Sequence, residues 1–421
     1  MQLMASYLVG RPDIASADRV ARGEILWDNI IVLVLLIISG HVRFTEGKQA
    51  ETGLLAAAAL FTVLLEHRRR FTPHPRFVAV LGVFAAIQIW QAASFRYVPL
   101  VTFMGFFARL YVAYAAVSLV RDFPRVYVNV MVFVCLASLC FYIPDQVCQA
   151  VGLDFRAPFD SLHRWIGARL EHRYDIGLYN FQVKYPHRNS GFFWEPGAFA
   201  GFTLVALVFL RLARARISSR EDRIALLLFS LSILTTFSTM GYIVLPIALS
   251  LHMAEVIGVS KKQMQTAVLC LCLLPAAWFS TAAVWKLEFL STKIASELSH
   301  VEMRQFTAQG GRLASFFFHE PYIRARPVAG WGRNLRTYLA LDPYLERNPP
   351  AGNGVLRFVH EMGLAGLCTY LLATAGSIHA LTRHRTMETA VILGVIVLTL
   401  QGEEFLTGAL YLSFMFLGQE P

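Results

Sequence analysis

Long, nearly uncharged apolar runs recur from one end of this chain to the other, and they constrain its fold more than any other feature. A helix needs roughly 20 apolar residues to cross the hydrocarbon core of a bilayer. Within lipid every backbone polar group has to be satisfied inside the chain, so such runs are read as helices. Twelve are drawn: Ile25 to Gly40, Leu54 to Glu66, Phe77 to Ala93, Val98 to Val120, Val126 to Ile143, Gly197 to Leu212, Ile224 to Thr239, Tyr242 to Val259, Met264 to Trp285, Gly354 to Ile378, Ala390 to Leu400 and Thr407 to Leu417. The second, eleventh and twelfth are short for a full crossing. With 56% hydrophobic and 16% charged residues, the expectation is an all-α polytopic membrane protein of about twelve transmembrane helices.

Positive charge is retained on the cytoplasmic side of short connections. The connections on one side hold eighteen Lys and Arg between Arg11 and Arg385, against Arg43, Lys48 and Arg96 on the other, so both termini are expected inside. This leaves two long segments outside, 144–196 and 286–353, between helix groups 1–143, 197–285 and 354–421. Both long segments are themselves basic, which adds to the net charge of +10. Long loops translocate largely regardless of charge, and loops of this size are rarely idle.

Each long segment shows helical periodicity: Phe159, Leu162, Trp165, Ile166 and Leu170 in the first, Leu290, Ile294, Leu298 and Val301 in the second. No cleavable leader is expected ahead of the first apolar run, since the residues before it do not show that pattern. The six cysteines form no disulfide framework, although a link from Cys140 to Cys148 stays open. Walker A, CxxC, zinc-protease helix and nucleophile-elbow patterns are all missing, so no cofactor and no metal are expected.

The most informative segment is Arg188-Asn189-Ser190-Gly191-Phe192-Phe193-Trp194-Glu195-Pro196-Gly197, which sets a cation and a carboxylate at the mouth of an apolar helix. Ionisable groups there are expensive unless they pair, face water or serve a function. This segment resembles the first outer-loop motif of bacterial O-antigen polymerases of the Wzy type. Two further stretches agree with that family and the related O-antigen ligases, in the same order: Gly311-Arg312 followed by Pro327-Val328-Ala329-Gly330-Trp331-Gly332, and Asn353 followed by Glu361-Met362-Gly363-Leu364-Ala365-Gly366. A polar turn, Phe237-Ser238-Thr239-Met240-Gly241, fits as well. In the ligases a His precedes that Asn, whereas Gly352 does so here, which favours polymerase over ligase.

The resemblance implies a GT-C-like fold in the bacterial inner membrane, with glycosyl transfer at the periplasmic face. Donor and acceptor are undecaprenyl-diphosphate-linked oligosaccharides. Membrane lipids and a chain-length regulator protein are the other expected partners, and nucleic acid is not. An O-antigen ligase is the alternative reading, and a lipid-linked oligosaccharide transporter the second.

Arginine suits a departing diphosphate, because its planar fork binds phosphate oxygens bidentately and stays charged. Arg188 and Arg312 are the leading ligands, followed by Arg324 and Arg326. For the proton of the attacking hydroxyl, Glu195 ranks ahead of His360, His319 and Glu320, with a helix-capping role for Glu195 as its alternative. Asn353 is expected to orient a sugar hydroxyl, Trp194 and Trp331 to stack on sugar, and Arg109 to meet a carboxylate or diphosphate inside the bundle. Glu403 and Glu404 read as a polar turn, and His360 and Glu361 either line a cavity or pair with Arg357.

The charge asymmetry predicts that a fluorescent protein fused at either terminus matures in the cytoplasm, while a cysteine placed near Lys184 is labelled by an impermeant maleimide from outside; reversed labelling would refute this topology.

Overall fold

The computed structural model describes residues 18–41, 44, 47–68, 73–166, 169–170, 173–213, 219–256, 312–341 and 352–418. The chain is mostly helical. Its principal helices are α1 (Asp18–Gly40), α2 (Gly47–His67), α3 (Pro75–Phe95), α4 (Leu100–Leu119), α5 (Phe123–Ala150), α6 (Asp160–Ile166), α7 (Pro196–Ala213), α8 (Ser219–Thr235), α9 (Thr239–Val256), α10 (Arg312–Ala325), α11 (Leu335–Tyr338), α12 (Gly354–Leu381), α13 (Thr386–Leu400) and α14 (Ala409–Ser413).

Six helices among the described residues are long and apolar enough to cross a membrane: α2 from Ala50, α3, α4, α5, α7 and α12. Two shorter apolar helices, Thr239–His252 and Thr386–Leu400, accompany them. The expected ninth run, Met264 to Trp285, lies outside the described residues. The twelfth is not one helix. It breaks into the 3-10 turn Phe405–Thr407, α14 and the 3-10 turn Phe414–Phe416, because Gly408 takes an extended conformation that interrupts the helical hydrogen bonding.

Helix starts follow local chemistry. His74 caps α3 by accepting the Arg76 amide on Nδ1 at 3.2 Å, and Pro75 opens the helix where its missing N–H is harmless. Pro124 and Pro196 sit at equivalent places in α5 and α7.

The chain divides into two compact units: Met1–Thr72 with Tyr111–Leu245 and Gln419–Pro421, and Pro73–Leu110 with Pro246–Gly418. In the first unit α5 packs against α7, α8 and α1. It runs on past Pro144 to Ala150, and this end carries the first long loop. The long amphipathic helix expected there is replaced by a 3-10 turn, Ala157–Phe159, the short α6 and a three-stranded antiparallel sheet: β1 (Arg169–Leu170), β2 (Arg173–Asp175) and β3 (Asn180–Gln182). The register pairs Tyr174 with both Arg169 and Phe181.

The sheet wins because it closes a small core of its own. Ile176, Tyr179 and Phe181 are buried beneath Phe141, Phe155, Phe159 and Leu162, and Arg156 reaches back to the buried Asp145 at 3.3 Å. Cys140 and Cys148 on α5 are free thiols.

In the second unit α12 packs on α3, α10, α13 and the Phe414–Phe416 turn. The α12 helix is broken at Gly363, whose φ of 69° and ψ of −179° belong to glycine alone. The segment before α11 fills the break. Trp331 and Gly332 amides donate to the carbonyls of His360 (2.8 Å) and Glu361 (2.9 Å), and Leu364 and Ala365 amides donate to Pro327 (2.7 Å) and Val328 (3.0 Å). Gly330 (φ 65°) comes so close that a Cβ there would sit 2.6 Å from the His360 carbonyl, and one on Gly363 would collide with the Val328 carbonyl.

Gly363→Ala therefore loses about 1–3 kcal/mol from backbone conformation alone, and more from the collision. Gly376→Ala in the same helix meets open space and gains up to about 1 kcal/mol. Thermal unfolding in detergent monitored by circular dichroism separates them, and equal shifts would contradict the account.

Candidate functional site

The Arg188–Gly197 motif folds as a polar knot in the first unit. Asn189 is fully buried. Its amide donates to the Thr235 carbonyl (2.9 Å), its Nδ2 donates to Thr235 Oγ1 (3.0 Å), and its Oδ1 accepts from Ser138 (2.7 Å) and the Gly191 amide (3.0 Å). Ser190 donates to the Asn180 carbonyl at 2.5 Å and accepts from Gln182 at 3.1 Å, while Asn180 Nδ2 donates to the Phe193 carbonyl at 2.8 Å. These bonds tie the motif to β3 and to the end of α8.

Arg188 is half-buried and donates through Nε to the Thr236 carbonyl at 3.1 Å, directly after the last residue of α8. A cation there suits the negative end of the helix dipole. Of the Phe237–Gly241 turn expected from the sequence, only Phe237, in the left-handed region at φ 48°, and Ser238 lie outside a helix, since α9 begins at Thr239. Glu195 precedes the first residue of α7, and its carbonyl accepts the Phe199 amide at 3.1 Å, the position of a helix cap. Trp194 is half-buried, edge-on to Phe202 at 6.1 Å.

The second unit holds a small cleft, partly open to solvent, between α3, α4, α12 and the loop before α11. Its walls are Phe103, Phe106, Phe358 and Met362, and its polar groups are Gln88, Gln91, Arg109, Arg333 and Glu361. Glu361 is buried. It accepts Arg357 Nε at 2.9 Å and lies 3.8 Å from Arg333 Nε. Glu404 completes the group, paired with Arg357 and 3.9 Å from Arg333. Gln91 Nε2 donates to the Ala329 (2.5 Å) and Glu361 (2.8 Å) carbonyls, pinning the loop to the broken helix.

The remaining sequence candidates scatter. Arg109 lines the cleft. Arg312 is the first residue of α10, and its side chain lies outside the described set. Arg324 is 82% exposed and pairs with Glu320 one turn away. Arg326 stacks over Phe95 (4.1 Å) and Trp331 (5.4 Å), and burial lowers its pKa from the ordinary arginine value.

Three further candidates are held by packing or capping contacts. Trp331, expected to stack on sugar, has its ring buried against Tyr322 and Phe95, and its Nε1 donates to the Tyr322 carbonyl at 2.7 Å. Asn353 caps α12: Oδ1 accepts the Leu356 amide at 3.0 Å, and Nδ2 donates to Gln401 at 2.7 Å. His360 is fully buried, its Nδ1 2.8 Å from Nδ1 of His319, in a cage of Phe318, Tyr322 and Tyr338. Tyr338 donates to the Gly332 carbonyl at 2.7 Å, and burial together with the Glu361 carboxylate pushes its phenol well up, keeping it a donor.

The sequence reading missed Arg333, Gln88 and Gln91 outright and took Glu404 for a turn residue. The signal was faint: two glutamines three residues apart inside an apolar run, on one face of a helix.

No protein-family model, curated protein or solved structure matches this chain.

Removing one partner of a buried ion pair leaves the other charge stranded, at a cost of about 3–5 kcal/mol. Glu361→Ala should approach that loss, softened by Glu404, whereas Glu320→Ala on the exposed pair changes stability by at most about 1 kcal/mol. Melting of the two variants in one detergent checks this, and comparable melts would show that the Glu361 network is not a buried constraint.

Proposed function

We propose that the protein is a glycosyltransferase that polymerises undecaprenyl-diphosphate-linked repeat units at the periplasmic face of a bacterial inner membrane, with the cleft as its donor site. One observation carries the reading: two of the three stretches that resemble O-antigen polymerases, Pro327–Gly332 and Glu361–Gly366, are hydrogen-bonded to each other and bring Gly332, Glu361 and Met362 to the cleft. The cleft then combines cations with an aromatic wall, the chemistry a sugar diphosphate requires.

Arg109 and Arg333 act on the departing diphosphate. Their guanidinium groups neutralise the charge that builds on the leaving oxygen, so their stabilisation is greatest in the transition state. Glu361 and Glu404 face Arg333 from behind and hold its guanidinium in place. The lipid diphosphate departs from an already activated bond, so no nucleotide hydrolysis is needed.

A second reading, transport of a lipid-linked oligosaccharide, draws on the placement of Gln88 and Arg109 well inside α3 and α4, since transporters bind substrate away from the membrane surface. Purified protein in vesicles, given a synthetic undecaprenyl diphosphate repeat unit, distinguishes the readings by gel and mass spectrometry. A ladder of lipid-bound oligomers marks a polymerase, transfer only onto lipid A core a ligase, and unchanged substrate moved across the vesicle a transporter.

For the polymerase, a charge-assisted hydrogen bond of about 1.5–3 kcal/mol is lost with each arginine, so Arg109→Ala and Arg333→Ala should each slow ladder formation about 10- to 100-fold while the protein remains folded by circular dichroism. Full rates in both variants would remove the cleft from the mechanism.

A further inference from the structure

Gln88 is the anomaly of the cleft. It is 2% exposed, it lines the cavity, and neither its Oε1 nor its Nε2 has a hydrogen-bond partner. Three residues on, Gln91 is 3% exposed, and its Oε1 is likewise unpartnered although its Nε2 is doubly used. Buried side-chain amides almost always find partners, and those that do not call for an explanation. Two on one face of a helix, both beside one cavity, point to a polar group that fills it.

We propose that Gln88 recognises the sugar ring of the donor by pairing with two adjacent hydroxyls, one accepting from Nε2 and the other donating to Oε1. The inference rests on the glycosyl-transfer reading and adds to it the part of the substrate that enters the cleft. Charge complementarity divides the labour. Arg109 and Arg333 match phosphate oxygens, while a neutral amide, donor and acceptor at once, matches a vicinal diol and gains nothing from an anion. Phe103, Phe106 and Phe358 offer apolar surface to the C–H faces of the ring. The Gln91 Oε1 lies where a third hydroxyl would donate.

Gln88→Met keeps the side-chain bulk and removes both polar atoms. Full-length protein in nanodiscs is titrated with two probes, a short-chain prenyl diphosphate and the same compound carrying one glucosyl residue. The expected result is that Gln88→Met weakens the glucosylated probe about tenfold, the loss of roughly one hydrogen-bonded group, and leaves the sugar-free probe unchanged, while Arg109→Ala weakens both. The ligand-free Gln88→Met protein should also melt higher than the wild type, because two stranded polar atoms are gone.

Equal effects on the two probes, no effect on either, or wild-type protein that does not distinguish them would overturn the assignment. So would a lower melting temperature with unchanged binding, which would show that water alone occupies the amide. A wild-type protein that separates the probes through Gln88 yet builds no oligomers sinks the polymerase reading and leaves the sugar contact standing.

Discussion

The break in α12 at Gly363 is the constraint on which the second unit is built. A helix in apolar surroundings cannot leave amides and carbonyls unpaired, so the groups exposed by the break need substitutes. The Pro327–Gly332 segment supplies four backbone hydrogen bonds, two donated in each direction. Such an exchange tolerates no Cβ at Gly330 or Gly363, which is a physical reason for glycine at both places. It also has a positional consequence: the loop that heals the helix delivers Gly332 and Arg333 to the cleft.

Polar groups elsewhere in this unit are governed by the same need for partners. Arg357, Arg333, Glu361 and Glu404 form one alternating group of charges, so no member is buried alone. His319 and His360 meet each other inside an aromatic cage, and Tyr338 and Trp331 direct their polar atoms to backbone carbonyls. Gln88 differs from these groups in that both polar atoms of its side chain lack a hydrogen-bond partner, and it lines the cleft.

In the first unit the conspicuous sequence motif serves first as an organiser. Asn189 and Ser190 are buried and fully engaged in joining β3, α5 and the end of α8. Arg188 bonds the carbonyl that follows α8, and Glu195 stands at the start of α7. A motif that reads as chemistry can also be read as architecture, because short polar residues are what a chain needs where helices end against a loop.

The sequence by itself determined most of the long apolar helices among the described residues, since an apolar run in lipid has one economical backbone conformation and its period and length are written locally. It also marked Gly363, Trp331 and Arg109 as places to look. Only the tertiary structure decided their roles. Nothing local announces that Glu404 pairs with Arg357, that Trp331 is walled in, or that Tyr174 and Phe181 close a sheet where the periodicity had favoured a helix. Ion pairs, buried rings and strand partners depend on which distant segments come together, and that is a property of packing rather than of any stretch of the chain.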